Sequence, residues 1–225
     1  ITRQECDKWA LRSHEKACAA IDKGIFREEI VPVQIPQKKG PPKIMDTDET
    51  PRPDTALESL SKLQPVLGGV CTAGNSSTEN DGAAACVVTT PEKAKGIGIE
   101  PLAYLRAFAV AGTDPTRTYQ GVPIAVNKAL RKVGLRLDEI DLFEIQEAFA
   151  AQVLADLKYL KLTEEHWERV NVNGSGISLG HPIGATGAMR MVTLLHEMKR
   201  RDAKYGLEAI CGGGGLAICA VVERM

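Results

Sequence analysis

Apolar and polar positions divide the chain near residue 98. Before it, only the first 22 residues are periodic, with Trp9, Ala10, Ala17 and Ile21 on or near one helical face. Thr2-Arg3-Gln4-Glu5 spaces a hydroxyl and a carboxylate for a capping box, and Gly24 stops the helix. Glu29 to Ile35 reads as extended. Residues 36–56 lose all periodicity, and six of the twelve prolines fall between Pro32 and Pro53, so a surface connector is expected there. Thr55 to Leu63 reads as a short helix and residues 70–82 as a small, polar loop. The run AAACVVTT, Ala83 to Thr90, predicts a buried strand.

From Pro101 the alternation is regular. Strands are predicted at Leu102–Val110, Ile140–Ile145, Val170–Asn173, Glu208–Cys211 and Leu216–Val222. Helices are predicted at Pro123–Val133, ended by Gly134, at Glu147–Leu160 and at Gly184–Arg200. The last carries Met189, Val192, Leu195 and Met198 at the spacing of one face. The order βαβαβαββ predicts an α/β domain, a mixed sheet covered by helices. No GxGxxG follows a strand, which argues against a dinucleotide site.

Composition narrows the function classes. A chain of 225 residues suits one or two domains with a real core. Lys and Arg total 28 and Asp and Glu 29, so the net charge of −1 gives no general electrostatic case for nucleic acid or an anionic membrane. No apolar run approaches the roughly 20 residues of a bilayer span, and no charged-then-apolar leader is visible. The six cysteines, at 6, 18, 71, 86, 211 and 219, form no CxxC and no zinc spacing, and no metal site is expected. Cys6, Cys18, Cys86 and Cys219 lie among apolar neighbours and are expected as core thiols, which suits a reducing compartment.

Three segments could carry chemistry. Asn173 to Gly187 (NGSGISLGHPIGATG) joins a strand to a helix, and its glycines let backbone approach a ligand at a helix start. His181 stands there, placed to orient a nucleophile or to donate to an oxyanion. Cys211-Gly-Gly-Gly-Gly215 sets a thiol at a strand end beside free amides, a place for acid/base or nucleophilic work. Gln146-Glu147-Ala148-Phe149 is a third strand-to-helix junction, which could equally be a plain helix start. All three lie at C-terminal strand ends, where open α/β sheets bind ligands. Gly176-Ile-Ser178-Leu-Gly180 also matches the GxSxG nucleophile elbow of hydrolases. Only His196 lies downstream, off the apolar face of its helix, so a hydrolase is disfavoured.

These blocks resemble the C-terminal part of thiolases, the acyl-CoA C-acyltransferases. The resemblance runs along the whole chain, through TAGNSS (72–77), NDGAAA (80–85), QEAFAAQ (146–152), NVNGSGISLGHPIGATGA (171–188) and CGGGG (211–215). It implies cleavage of 3-ketoacyl-CoA by CoA, or the reverse condensation, by ping-pong kinetics on a nucleophilic cysteine. It implies that His181 activates that nucleophile and helps hold a thioester oxygen. Cys211 would be the acid/base at the substrate α-carbon, and Gly213 an oxyanion-hole amide. Ser77, Ala148 and Phe149 would line the pantetheine arm, with Arg52 near the CoA adenine. No tightly bound cofactor is implied; CoA and acyl-CoA are substrates. Two positions depart from the family pattern. Gln146 stands where Asn or His usually holds a water, and an offset near 1 Å can cost about 100-fold. Gly212 stands where a larger residue is usual.

By the same resemblance, residues 1–70 would be part of a loop, CoA-binding domain, 71–97 the final strands of the N-terminal half, and 98–225 a complete C-terminal domain. No segment matches the half that carries the nucleophilic cysteine. The expectation is a fragment or truncated product, inactive alone, whose intact form is a homodimer or homotetramer in the cytoplasm, a peroxisome or the mitochondrial matrix. An alternative is an inactive truncated relative that binds CoA or serves as a structural subunit. Ketosynthase relatives generally use two histidines, unlike the pair His181 and Cys211.

Overall fold

The computed structural model describes all residues, 1–225. Helix α1 (Arg3–Asp22) opens with the expected capping box of Thr2 and Glu5, and Gly24, at φ +68°, turns the chain out of it. It buries Cys6, Trp9, Ala10, Ser13 and Ala17, while Ile21 stays half-buried. The connector contains a small antiparallel hairpin, β1 (Val33–Ile35) with β2 (Lys43–Met45). Helices α2 (Leu57–Ser61) and α3 (Pro91–Gly96) are short.

The second half is built on β3 (Ala103–Gly112), α4 (Gly121–Val133), β4 (Leu142–Ile145), α5 (Ala150–Leu160), the single turn α6 (Gly176–Leu179), α7 (Thr186–Arg201), β5 (Tyr205–Gly212) and β6 (Leu216–Arg224). The sheet order is β3-β6-β5-β4, with β4 parallel to β5 and the other pairs antiparallel, so the sheet is mixed as expected. Alternation along the strands decides which helix each residue meets. Ala109, Ala111, Leu207, Ala209, Ala217, Cys219 and Val221 join the main core with Val122, Ala125, Val126 and Ala129 of α4. The other face packs on α7, where Gly206 lies against Leu194 and Met198. Strand β4, at the edge of the sheet, is nevertheless buried at all four positions. Helix α7 packs over β4 and β5, and of β3 only the start, at Ala103, meets the apolar cluster there. Phe108, Val110, Leu216 and Ile218 therefore remain 43–61% exposed as one apolar strip.

Several expectations are corrected. Ala83–Thr90 forms no strand, and Val87 and Val88 are 90% and 81% exposed. A strand needs a neighbour for its ladder bonds, and no other strand pairs with this segment. Cys86 is exposed for the same reason and Cys18 is only half-buried, whereas Cys6 and Cys219 are core thiols. Val170–Asn173 contributes single bridges instead of a ladder strand. Asn171 sits at φ +47°, and its side-chain amide bonds both the N–H and the C=O of Ile145, at 2.8 Å each, replacing the missing ladder. Helix α5 begins at Ala150 because Gln146–Phe149 stays extended, pinned by backbone bonds from Ser77 N to Ala148 O and from Ala150 N to Asn75 O. Helix α7 buries Thr186, Arg190, Thr193, Leu194, Glu197 and Met198, so its inward stripe is largely polar and only Met198 of the expected face is fully buried.

Candidate functional site

The site is built from the ends of parallel β4 and β5. Gln146 follows β4, fully buried, and its N–H bonds Ala209 O of β5 at 2.9 Å, two residues before Cys211. This places Gln146 and Cys211 at one end of the sheet. Gly213 is exposed in the turn beyond β5, whose geometry uses the left-handed glycines 214 and 215, at φ +80° and +85°.

His181 leads into α7. Its N–H bonds Thr78 O at 3.2 Å and Asn80 Oδ1 at 3.1 Å. Gly180 before it, at φ +85°, lies so close to Asn80 that a Cβ would fall 2.4 Å from Oδ1. The imidazole is oriented by Thr186. The Thr186 hydroxyl donates to Pro182 O at 3.0 Å, so it can only accept from His181 Nδ1, 2.7 Å away. That bond places the proton on Nδ1 and leaves Nε2 with a free lone pair. Burial, then the Arg190 charge, lower the His181 pKa, so the imidazole is neutral near pH 7. The Cys211 thiol is pushed up to about 11 by burial and by Asp156, so at rest it is a proton donor.

Glu147, Asn171, Asn80 and Arg190 are organising residues to which sequence reasoning gave no individual role. The Glu147 carboxylate, fully buried, accepts from Trp9 Nε1 (2.9 Å), Ser13 Oγ (2.6 Å), Asn171 Nδ2 (2.9 Å) and Ile177 N (3.2 Å). It ties α1, β4 and the glycine-rich loop into one unit. A signal for Arg190 was available. Thr186, Arg190, Thr193 and Glu197 recur at helical spacing, a polar stripe that a count of apolar positions passes over. The GxSxG serine is excluded as a nucleophile by its surroundings: Ser178 is fully buried, 2.8 Å from Ser13 Oγ, and donates to Ser175 O.

The expected ligand-binding residues fall into two groups. Ser77 joins Ala148 through its N–H at 2.9 Å, and Ser76 pairs with Phe149, so these residues form one strip. Arg52 adjoins that strip through a cavity it shares with Ser76, its N–H on His14 Nδ1 at 3.1 Å. That cavity, of about 200 Å³, is also lined by His14, Ser59 and Thr78. Thr78 connects the cavity to His181. A second, open recess of about 390 Å³ lies between Asn80–Ala84 and Pro182–Ala185, beside His181. Neither cavity is lined by Cys211 or Gly213.

Comparison with known proteins agrees with this architecture. The thiolase N-terminal domain model matches residues 1–92 and the thiolase C-terminal domain model residues 99–224. An acetyl-CoA acetyltransferase of Pseudomonas aeruginosa is 49% identical over the whole chain, and one of Syntrophomonas wolfei 47%. The chain spans 57% of the length of each. The crystal structure of the Bacillus anthracis acetyl-CoA acetyltransferase superposes with a TM-score of 0.96 at 46% identity, covering the whole chain and 57% of that protein. Human mitochondrial 3-ketoacyl-CoA thiolase superposes at 0.92 with 40% identity, covering the whole chain and 56% of that protein. The matched domains, the shared mixed sheet and the alignment along every residue block place this chain in the thiolase family.

Proposed function

We propose that these residues form the acid/base half of an acyl-CoA C-acyltransferase that cleaves 3-ketoacyl-CoA with CoA or runs the reverse Claisen condensation. The observation that carries this reading is His181, neutral, with Nδ1 held by Thr186 and Nε2 free. A fixed, unprotonated nitrogen takes the proton of a thiol nucleophile, which becomes acylated as the substrate carbon–carbon bond breaks. The departing carbanion needs a proton at its α-carbon, and the Cys211 thiol supplies it. CoA then takes the acyl group, its thiol proton passing to the Cys211 thiolate while the nucleophile leaves as thiolate and recovers its proton from His181; condensation runs the same steps in reverse, with the Cys211 thiolate taking the α-proton. Charge gathers on the thioester oxygen, served by the Gln146 amide and by His181 Nε2 once it holds the nucleophile's proton, and on the acyl-enzyme oxygen, served by the Gly213 amide. The nucleophilic cysteine comes from a segment beyond these 225 residues.

Substrate contacts follow from the two groups of binding residues. Ser77, Ala148 and Phe149 hold the pantetheine arm, and Arg52 attracts the CoA phosphates at the mouth of its cavity. The uncovered strip of Phe108, Val110, Leu216 and Ile218 supports further contact with the rest of a thiolase or a second subunit in a homodimer or homotetramer. Residues 1–70, 71–97 and 98–225 act as the loop domain, the end of the N-terminal half and the C-terminal domain. The free thiols suit a cytoplasmic location.

The test is reconstitution. The chain is mixed with the part of the P. aeruginosa relative that it does not match, and CoA-dependent cleavage of a 3-ketoacyl-CoA is followed. Cleavage that disappears with His181→Ala and with Cys211→Ser is expected. The Arg52 cavity, contained wholly in this chain, favours a second reading, a CoA-binding subunit without catalysis. CoA binding by calorimetry without cleavage in the mixture would establish that one, and neither signal would remove both.

A further inference from the structure

Arg190 is 1% exposed, an unusual place for a guanidinium. Its Nε donates to Gln146 Oε1 at 3.3 Å and its Nη2 to Gly180 O at 3.0 Å. None of its nitrogens lies within ion-pair distance, 4.0 Å, of a carboxylate, although its charge acts on Glu144, Glu208, Glu29 and Asp48. Glu144 and Glu208 are register partners on the parallel pair β4 and β5, both buried, each with an oxygen that no group in the fold bonds. The buried cation therefore keeps its donors for two neutral oxygens of the site, while the surrounding acids, pushed up by burial, feel its charge only at a distance.

We propose that Arg190 is a positioning residue that sets the Gln146 amide and the His181 loop together. The argument rests on donor chemistry. Arginine has N–H groups only, so Gln146 must turn Oε1 toward it. Gln146 Nε2 is thereby aimed the other way, packed so closely on Gly176 that a Cβ there would meet it at 2.2 Å. Buried, Nε2 has no hydrogen-bond partner in the fold. An amide donor with no acceptor among the protein's own groups suits the substrate oxygen or a water bound to it. The second bond works on the loop. Gly180 O lies one residue before His181, so the same side chain that orients the amide fixes the backbone that presents the imidazole. Two blocks distant in sequence, around residues 146 and 181, are thereby locked to one group on α7. The assignment of that donor to a substrate oxygen rests on the function proposed above; the positioning does not.

The test uses this chain alone and needs no catalysis. The Gln146 side-chain amide, assigned with Gln146→Asn, is followed by NMR together with the His181 ring protons. In the native chain the two amide protons are well separated and slow to exchange. In Arg190→Met they collapse toward an ordinary pair and exchange about tenfold faster, the equivalent of one lost hydrogen bond. His181, whose ring faces Thr186 and the Arg190 charge with no carboxylate among its influences, titrates at higher pH in that variant. Arg190→Lys keeps the charge without the fork, so it retains the His181 titration and loses the amide signature. Should Arg190→Met fail to fold, the variant that also carries Glu144→Gln and Glu208→Gln, which replaces two buried acids on which the guanidinium charge acts, serves instead. Unchanged Gln146 resonances in a folded Arg190→Met or in that compensated variant would overturn the proposal. If the amide changes while the reconstituted mixture stays inactive, the functional reading fails and the positioning stands.

Discussion

Replacing Glu147 by Gln should destabilise the chain by about 3 kcal/mol, and the number follows from which oxygen becomes nitrogen. Oε1 accepts from Trp9 and Asn171, and Oε2 from Ser13 and Ile177. An NH2 at the first position would face two fixed donors. At the second it faces the Ile177 N–H and the Ser13 hydroxyl, which can rotate to accept. The amide therefore settles with nitrogen at the second position and strands one buried backbone donor, at about 1–3 kcal/mol. The other bonds lose their charge assistance, roughly 0.5–1 kcal/mol in all. Glu147→Leu strands Trp9, Asn171 and Ile177 together, for about 6 kcal/mol, comparable with the stability of a whole domain. Urea unfolding followed by tryptophan fluorescence is the assay, because Trp9 both bonds Glu147 and stacks edge-on with Trp167 at 4.9 Å. A Glu147→Gln midpoint within 1 kcal/mol of the native chain at equal slope would refute the reasoning, since it would mean that the four bonds add nothing net.

Three further outcomes are expected. Glu208 is pushed up to about 8 by burial, so the fold favours its neutral form; its stabilising contribution is complete below about pH 4.5 and is lost as pH rises through 8. The stability advantage of Glu208→Gln over the native chain should grow from pH 5 to 8, by at most ~1.4 kcal/mol per unit, and then level; the lowered histidines cancel in the difference, and a flat difference would contradict the assignment. Gly215→Ala should cost at least ~1 kcal/mol more than Gly40→Ala in urea unfolding: both glycines are left-handed, but a Cβ at 215 falls 2.4 Å from Thr113 O whereas at 40 it meets nothing. Thr186→Val removes the acceptor at His181 Nδ1, and the ring nitrogen shifts at pH 8 should pass from a single Nδ1–H tautomer to a mixture.

The sequence alone determined the parts that depend on local pattern. The capping box at Thr2 and Glu5, the left-handed stops at Gly24 and Gly134, and the strand–helix alternation after residue 101, Val170–Asn173 apart, all depend on neighbours a few residues away, and they stand in the structure. So does the placing of Gln146, His181 and Cys211 at element junctions, because glycines and turn residues mark those junctions. Partners across the fold decided the rest. Ala83–Thr90 has a strand's composition and no strand beside it. Gln146–Phe149 has a helix's composition and stays extended, because Asn75 and Ser77 take its backbone bonds. Helix α7 turns a polar stripe inward because Gln146, Gly180 and Asn173 wait there with groups that need Arg190 and Glu197. Propensity acts over a few residues, whereas a buried hydrogen bond is satisfied by whatever the fold brings near, from 44 residues away for Gln146 and Arg190. The chemistry of this site lies in those distant pairings.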